Sequence, residues 1–567
     1  MKLKYLFCGL FLLGLSACNY LDIVPDEVVK EEDSYETPDL VRNYLYSCYS
    51  FLPTNRAISN NAYWMMCGAE TSFYRKEMFS TFNEGTYGPS SLHMTSDTWS
   101  PIWEGIRQCY MFLDILDKAK NLVPTDKQHY RGEANFLIAY YHFLSMRSYG
   151  PTMIIRSVID LETPISGFPE RSSIDEVVAF INEKLDEAMS EGGLPTTWSG
   201  KDYGRATRLA ALALKSRVYL YAASPLYNGN TEMYADFRSP LDGRQLIAQE
   251  KSQAKWEISA TQTKYAIDEV EKAKFHLYHD ADAGEPSDAK PGLPNKAQRR
   301  LRYTNIDNQT GNNPEIIWAD TRNDDYYGIQ RRCPPRQTLG GKFAGISMTN
   351  CPTLQTIEAF YTKNGLPINK DKTFDYDERY EYISAPENCD GNNYEDLVKY
   401  ANFTPSSDKV MRLCTDREPR FYAWTTYHNG YFEFGKYNNE EISADPAKRA
   451  IRIHLLRDDP HGRGNRTDQE YSISGFGNKK GVVPSAEWNV IEYPFPLFRL
   501  AELYLNYAEA LVELDRLSEA KVYLDKVRER AGIPSVDEAW DKYSTNPGYQ
   551  NTQEGMREIV RAERMNE

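Results

Sequence analysis

Apolar residues recur every three or four positions over long stretches of the N-terminal half. This spacing predicts amphipathic helices, because residues three and four positions apart share one face of a helix. Two of the helices have recognisable starts: Ser173 and Glu176 match a capping box, and Thr207 suits the N-cap of the helix that follows it. The predicted helices cover residues 38–52, 99–119, about 127–148, 173–188, 207–223 and 256–274.

Two segments near the C-terminus have the spacing of a tetratricopeptide repeat. In that motif small residues let paired helices approach closely, and larger residues fill the groove between them. Asp515 and Arg516 are expected to make the turn between the helices, and Ser518 to cap the second. A similar spacing occurs over 212–219 and 266–273, on helices that are separated by an insertion. The repeat positions are Tyr504, Tyr507, Ala508, Leu511, Ala520, Leu524 and Val527.

The helical pattern stops between about 275 and 494. Short strand-like runs at 315–319 and 450–454 are separated by Gly, Asn, Asp and Pro, which favour turns. The basic run at 296–302 is expected to be a solvated loop. We therefore predict a mainly α fold: a tetratricopeptide-like scaffold of helix pairs with a long insertion of irregular loops and short strands. It forms one domain over 38–567, with repeats at about 38–274 and 495–567.

The N-terminus has the features of a lipoprotein signal peptide. A short basic stretch precedes an apolar segment at 6–15, which is too short to span a bilayer. Small residues then precede Cys18, as a lipoprotein signal peptidase requires. We predict a signal peptide over 1–17, lipid attached to Cys18 and a tether over 18–37, which together anchor the protein to a membrane. An ordinary secretory signal with a chance cysteine is the alternative.

The net charge and the absence of known motifs argue against several classes of function. The net charge is −15, and it becomes about −17 without the signal peptide, which argues against a nucleic-acid partner. Cofactor and enzyme motifs such as Walker loops, His-Glu-x-x-His and Gly-x-Ser-x-Gly are absent from the sequence. We therefore predict that the protein is not an enzyme. A glycoside hydrolase stays an alternative, because sequence spacing does not reveal two carboxylates ~5–10 Å apart.

Metal and disulfide chemistry receive little support from the sequence. The nine cysteines include no Cys-x-x-Cys pair and no zinc-like spacing to histidine, so mostly free buried thiols are expected. The segment 280–285 alternates oxygen ligands with Gly284, like the start of a calcium loop, but it lacks the later bidentate Glu. A flexible acidic loop is the favoured interpretation. We predict no cofactor, with calcium as a weak alternative.

Aromatic residues are unusually frequent, with 41 Tyr and nine Trp. Ring faces stack on the C–H patches of sugars, although most rings are expected in the core. Rings in the segments expected to be loops, 53–98 and the residues after 315–319, are therefore the best candidates for a ligand site. The predicted site residues are Trp64, Tyr74, Tyr87, Tyr326 and Tyr327, with Asn323 and Arg331 as polar partners.

Motifs along nearly the whole chain resemble the SusD/RagB family of outer-membrane nutrient-binding lipoproteins. One departure is Ile138, which stands where arginine is common in the family. The order and spread of the motifs carry the resemblance, since each is modest alone. They are residues 132–141 with Tyr149-Gly150, 204–207 with 213–223, 313–317, 417–421 and 498–510.

The resemblance implies a non-catalytic, surface-exposed protein of the outer membrane. Such a protein captures a glycan and delivers it to a SusC-like barrel, a TonB-dependent outer-membrane transporter. A peptide-binding, RagB-like carrier is the alternative. In the family the motif at 559–567 continues into an aromatic- and arginine-rich helix that this sequence does not contain, so we expect a fragment or a shortened reading frame.

Overall fold

The structure is a computed structural model that describes residues 35–53, 71–73, 88, 98–287, 290, 295–307, 313–322, 328–335, 348–384, 409–433, 450–464, 471–484 and 491–567. Helices dominate these residues, as the apolar spacing predicts. None of the described helices is long and apolar enough to cross a membrane. The α-helices are α1 (Pro38–Ser50), α2 (Trp99–Lys118), α3 (Pro124–Tyr149), α4 (Ile174–Ala188), α5 (Arg208–Ala223), α6 (Thr231–Tyr234), α7 (Gln253–Lys272), α8 (Asp280–Ala283), α9 (Lys296–Thr304), α10 (Ile329–Arg332), α11 (Leu354–Ala359), α12 (Pro419–Trp424), α13 (Leu500–Glu513), α14 (Leu517–Ala531), α15 (Val536–Tyr543) and α16 (Gln553–Asn566).

The strands are short, and within the described residues they form two-stranded antiparallel sheets. The sheet that matters for the site is β4–β12, which joins the insertion to the first C-terminal helix. The strands are β1 (Thr71–Phe73), β2 (Thr152–Met153), β3 (Arg171–Ser172), β4 (Ile316–Asp320), β5 (Asn350–Pro352), β6 (Tyr382–Ser384), β7 (Lys409–Met411), β8 (Thr425–Thr426), β9 (Tyr431–Glu433), β10 (Ala450–Arg452), β11 (Gly477–Asn478) and β12 (Phe495–Arg499).

The long helices pack against one another in chain order, from α1 through α5. Helix α5 then contacts α7, α7 contacts α13, and α13 packs against α14 and α16. One large cluster of buried apolar side chains runs through all of these helices. Helix α3 lies at its centre, and every residue from Gly132 to Met146 is buried. A helix that is buried on every side is stabilised by its neighbours in the stack.

Local signals set several helix ends as predicted. Ser173 Oγ accepts a hydrogen bond from the Glu176 amide at 3.3 Å, and the Glu176 carboxylate accepts one from the Ser173 amide at 2.7 Å. Thr207 Oγ1 accepts a hydrogen bond from the Ala210 amide at 3.0 Å. Gly150 ends α3 at a φ of 71°, which a residue with a side chain rarely adopts.

The C-terminal repeat pair is confirmed, with one error in its capping. Ala508 and Ala520 are fully buried where α13 and α14 pack together, as the repeat spacing requires. The predicted cap at Ser518 is wrong, because α14 already begins at Leu517 and Arg516 occupies the N-cap position. Asp515 makes the turn at a φ of 59°.

The earlier helix pair, α5 and α7, also packs together in spite of the long insertion between its members. Ser216 and Thr263 join the two helices through a buried hydroxyl–hydroxyl hydrogen bond of 2.7 Å. The spacing that α5 and α7 share with α13 and α14 therefore reflects the same kind of contact between paired helices.

The basic run at 296–302 is not the solvated loop expected from the sequence. It forms most of α9, and Arg302 is buried. Arg302 Nε lies 3.3 Å from the Glu433 carboxylate, and its Nη1 donates a hydrogen bond to the Lys479 carbonyl at 2.8 Å. The prediction failed because these partners come from sequence-distant parts of the insertion, which a local pattern does not reveal.

The acidic segment at 280–285 is likewise not a flexible loop, because its first residues form α8. Asp280 pairs with Arg300 at 3.0 Å, and Asp282 accepts a hydrogen bond from the His279 amide at 2.7 Å. Within the described ranges, no three His, Cys, Asp or Glu side chains are placed to hold a metal ion.

Buried ion pairs connect the insertion to the C-terminal helices. Arg420 contacts Glu418 at 2.6 Å and Glu563 at 2.7 Å, and Glu563 also contacts Arg528 at 2.9 Å. The side chains of all four residues are at most 1% exposed. Each charge therefore depends on its partners, because water is not there to replace them.

A neighbouring ion-pair group forms around Glu315. Its carboxylate contacts Arg499 at 2.6 Å and Arg530 at 3.4 Å. Glu315, Glu418 and Glu563 come from the motifs at 313–317, 417–421 and 559–567. The motifs that carry the family resemblance in this half of the chain thus supply the charges that hold the insertion on the helices.

Candidate functional site

A groove opens where the end of α1, the 201–205 loop and the end of β4 meet. Its volume is about 340 Å³. We call it the α1–β4 groove. It is lined by Tyr46, Tyr49, Ser50, Leu52, Lys201, Tyr203, Gly204, Arg205, Trp318, Ala319, Asp320, Thr321, Arg322 and Leu497.

Arg322 fixes the rim of the α1–β4 groove. Its guanidinium pairs with Asp320 at 2.7 Å. The same guanidinium donates hydrogen bonds to the carbonyls of Leu52 at 2.7 Å and Pro53 at 3.1 Å. The chain that leaves α1 and the chain that leaves β4 are therefore held side by side at the groove. The two predicted ligand-binding segments, 53–98 and the residues after 315–319, begin at these points.

A buried polar network holds the wall of the groove that contains Tyr49 and Arg205. Arg205 pairs with Glu133 at 2.5 Å and with Asp202 at 2.7 Å. Tyr49 donates a hydrogen bond to Glu133 at 2.6 Å and accepts one from the Ala206 amide at 2.9 Å. Burial, reinforced by the Glu133 carboxylate, raises the pKa of Tyr49 well above its usual range, so its hydroxyl keeps its proton.

Gly204 lets the 201–205 loop lie against the end of β4. Its φ is 99°, and an added Cβ would lie 2.7 Å from the side chain of Thr321. The Gly204 carbonyl accepts a hydrogen bond from the Trp318 indole at 2.9 Å. The motif at 204–207 therefore requires glycine at position 204, because the 201–205 loop and the end of β4 approach each other closely there.

Tyr46 and Tyr203 give the groove aromatic surface. Tyr46 is 40% exposed, and Tyr203 is half-buried. Burial raises the pKa of Tyr203 to about 12, so its hydroxyl is neutral at physiological pH. With the cationic side chains of Lys201 and Arg205 beside them, these rings combine apolar faces with hydrogen-bond donors. That combination suits a ligand with many hydroxyl groups.

Acidic groups are scarce in the lining of the groove. Among the described residues that line it, Asp320 is the one carboxylate, and Arg322 engages it. Outside the groove, Glu502 and Glu509 on helix α13 pair with Arg217 at 2.6 Å and Arg564 at 3.0 Å.

Most of the predicted site residues lie outside the described ranges, so the structure does not test them. They are Trp64, Tyr74, Tyr87, Asn323, Tyr326 and Tyr327, together with the predicted lipidation site Cys18. Arg331 is described: it lies half-buried in α10 and does not line the groove. The neighbouring residue, Gln330, donates a hydrogen bond to the Ile491 carbonyl at 2.9 Å.

Sequence reasoning missed the groove residues Tyr46, Tyr203, Arg205 and Arg322. A signal was present for Arg205 and its partner Glu133, because each is a charged residue inside a motif quoted for the family resemblance. Charges in such motifs point to buried pairs. The contacts of Arg322 had no comparable signal in the sequence, because the carbonyls of Leu52 and Pro53 lie about 270 residues away along the chain.

Two family models match separate parts of the chain. A model described as the SusD family matches residues 314–567, and one described as starch-binding associating with outer membrane matches residues 19–220. The chain belongs to the SusD family. The two matched regions contain all or most of each motif that carries the resemblance, and both regions supply residues to the α1–β4 groove. Comparison with curated proteins gives no match.

Solved structures share the fold over almost the whole chain. BT4246 is 27% identical, with a TM-score of 0.74, and the match covers 93% of this chain and 86% of that one. A SusD-like protein from Bacteroides fragilis NCTC 9343 is 20% identical, with a TM-score of 0.63 and coverages of 95% and 85%. Surface glycan-binding protein A from Bacteroides fluxus is 16% identical, with a TM-score of 0.51 and coverages of 94% and 86%. These likenesses identify the SusD-like helical fold.

Proposed function

We propose that this SusD-family protein binds a glycan at the α1–β4 groove. The observation that supports the proposal is the contact of Arg322 with Leu52 and Pro53, because residues 53 and 322, from which both predicted ligand-binding segments continue, lie side by side at one groove. The exposed ring of Tyr46 and the half-buried ring of Tyr203 supply stacking surface there. The description of one matching family model, starch-binding associating with outer membrane, agrees with a sugar ligand.

We propose further that the protein works as a lid on a barrel transporter. Lipid on Cys18 anchors it at the surface of the outer membrane, with the body in the aqueous phase. The glycan is held between this protein and a SusC-like TonB-dependent barrel, then passed inward. In this scheme the protein binds and releases its ligand without chemistry. A groove whose described lining offers a single, already paired carboxylate supports binding over glycoside hydrolysis.

The binding proposal is tested by affinity gel electrophoresis of the lipid-free protein against a panel of polysaccharides. Tyr46→Ala and Tyr203→Ala each remove one ring from the groove. We expect each to weaken binding of the retarding glycan by about 5- to 30-fold, which corresponds to about 1–2 kcal/mol of lost stacking. Trp64→Ala and Tyr327→Ala test the predicted loop residues in the same gels.

Tyr265→Ala is the matched control for these variants. Tyr265 lies on α7, outside the groove, and is 44% exposed, close to the 40% of Tyr46. It should bind glycan as the unchanged protein does. Equal weakening in Tyr265→Ala, or no effect of the groove variants on a glycan that binds, would place the site elsewhere.

A peptide panel and a reducing-sugar assay separate the alternatives. Peptide binding by folded protein that no polysaccharide retards would favour a RagB-like carrier. Release of reducing sugar that disappears on mutation of one Asp or Glu would establish a hydrolase. Delivery is tested by co-purification with a TonB-dependent barrel, and a Cys18→Ser chain should no longer remain with the membrane fraction.

A further inference from the structure

Helices α1 and α2 lie antiparallel in a defined register. Gln108 Nε2 donates a hydrogen bond to Ser47 Oγ at 2.7 Å. The rings of Tyr44 and Phe112 stack with their centroids 5.9 Å apart. In these two contacts the residue number in α2 falls from 112 to 108 as the number in α1 rises from 44 to 47, which shows the antiparallel direction. This register places position 48 opposite position 109.

The residues at those two positions are cysteines. Cys48 and Cys109 are free thiols that are fully buried and neighbour each other in the same core cluster. The Cys48 thiol also donates to the Tyr44 carbonyl, with the sulfur 3.6 Å from the oxygen. A disulfide requires two cysteines whose Cβ atoms face each other at short range, and this register provides such facing positions.

We propose that Cys48 and Cys109 form a disulfide in the exported protein. The step is a two-electron oxidation: the two thiols give up two electrons and two protons, and a sulfur–sulfur bond forms between them. The oxidant is an exchangeable disulfide, carried by a thiol oxidoreductase or a small molecule, whose own sulfur–sulfur bond breaks to give two thiols. Export, which belongs to the proposed function, supplies a compartment where such a bond persists.

The timing of the reaction follows from burial. Burial raises the pKa of Cys109 well above its usual range, so the folded protein holds almost none of the reactive thiolate. The bond therefore forms while α1 and α2 are still assembling. Folded protein in the reduced form should react slowly with the same oxidant.

The disulfide would close the chain segment between residues 48 and 109. That segment includes the predicted ligand-binding residues Trp64, Tyr74 and Tyr87. It also ties α1, which supplies Tyr46 and Tyr49 to the groove, covalently to the centre of the helical stack. A cross-link that closes a long segment stabilises mainly by limiting the unfolded chain.

The test uses full-length protein refolded in oxidised and reduced glutathione. Non-reducing peptide mapping by mass spectrometry should find a peptide that contains Cys48 joined to one that contains Cys109, lighter than the two free peptides by two hydrogens. Reductant should lower the melting temperature of the oxidised protein by about 2–4 °C. Cys109→Ala should lose this response, and Cys414→Ala, which removes another buried thiol, should keep it.

Peptide mapping keeps the proposal testable even if Cys109→Ala does not fold. In a second measurement the oxidised protein is denatured without reduction and then treated with an alkylating reagent. Alkylation of both Cys48 and Cys109 would overturn the proposal. So would a cross-link from either cysteine to Cys67 or Cys389. Glycan binding is scored separately, so failure of the disulfide and failure of the glycan site are distinguishable outcomes.

Discussion

His142, in the buried centre of α3, has both of its ring nitrogens bonded to backbone. Nδ1 lies 2.7 Å from the Ile138 carbonyl, and Nε2 accepts a hydrogen bond from the Ile155 amide at 3.3 Å. The neutral tautomer with its proton on Nδ1 satisfies both contacts. Burial lowers the pKa of His142 to about 4, so the folded protein keeps the ring neutral.

This residue should make stability depend on pH. Above pH ~6.5 the ring is neutral in both states. Between pH ~6.5 and about 4 only the unfolded chain binds the proton, so the free energy of unfolding falls as the pH falls, by about 3 kcal/mol from this group. Urea titrations across this range should show a shallower decline for His142→Gln. The exposed-residue control, His276→Gln, should decline as the unchanged protein does, and identical slopes in all three proteins would refute the assignment.

At the level of elements, Tyr141 holds α1, α2 and α3 together. Its ring packs on Gly105 of α2, where a Cβ would lie 2.6 Å from the ring carbon Cζ. Its hydroxyl then donates a hydrogen bond to the Cys48 carbonyl of α1 at 2.6 Å. The close crossing of α2 and α3 depends on the missing side chain at position 105.

Gly105→Ala should therefore destabilise the protein by about 1–3 kcal/mol, because the buried ring cannot move aside without disturbing the core. Chemical denaturation measures the change. Tyr141→Phe keeps the ring and removes the hydroxyl, so it should cost about 1 kcal/mol. If Gly105→Ala gained stability, as alanine does in an unobstructed helix, the close packing would be disproved.

The sequence predicted helix starts and helix pairs better than it predicted long-range contacts. The helix starts at Ser173 and Thr207 follow from side chains that bond their own next turn, and the α13–α14 pair follows from small residues at repeat spacing. The burial of Arg302 could not be predicted in the same way. Its partner, Glu433, lies 131 residues away, and a run of charged residues is typical of solvent-exposed surface when its partners are unknown.

For the whole molecule, the ion pairs around Arg420 couple the insertion to the C-terminal helices. Arg420→Ala leaves the carboxylates of Glu418 and Glu563 buried with a cation removed. We expect a loss of about 3–5 kcal/mol in the free energy of unfolding. Calorimetry should also show the single transition broaden or split as the insertion separates from the helices.

Arg412→Ala is the matched control for this coupling. Arg412 pairs with Glu378 at 2.9 Å, but both side chains reach solvent, so the change should stay within about 1 kcal/mol. A similar loss in both variants would mean that removal of any arginine weakens the insertion. A small loss in Arg420→Ala alone would mean that the buried charges find replacement partners.

Arg322 holds the groove rim through the carbonyls of residues 52 and 53, which every amino acid possesses. The contact therefore does not depend on the side chains of the segments that follow it. Sequence in those segments can diverge while the helical stack, the groove and the points of departure stay in place. The fold and the sequence of these segments can therefore evolve independently of each other.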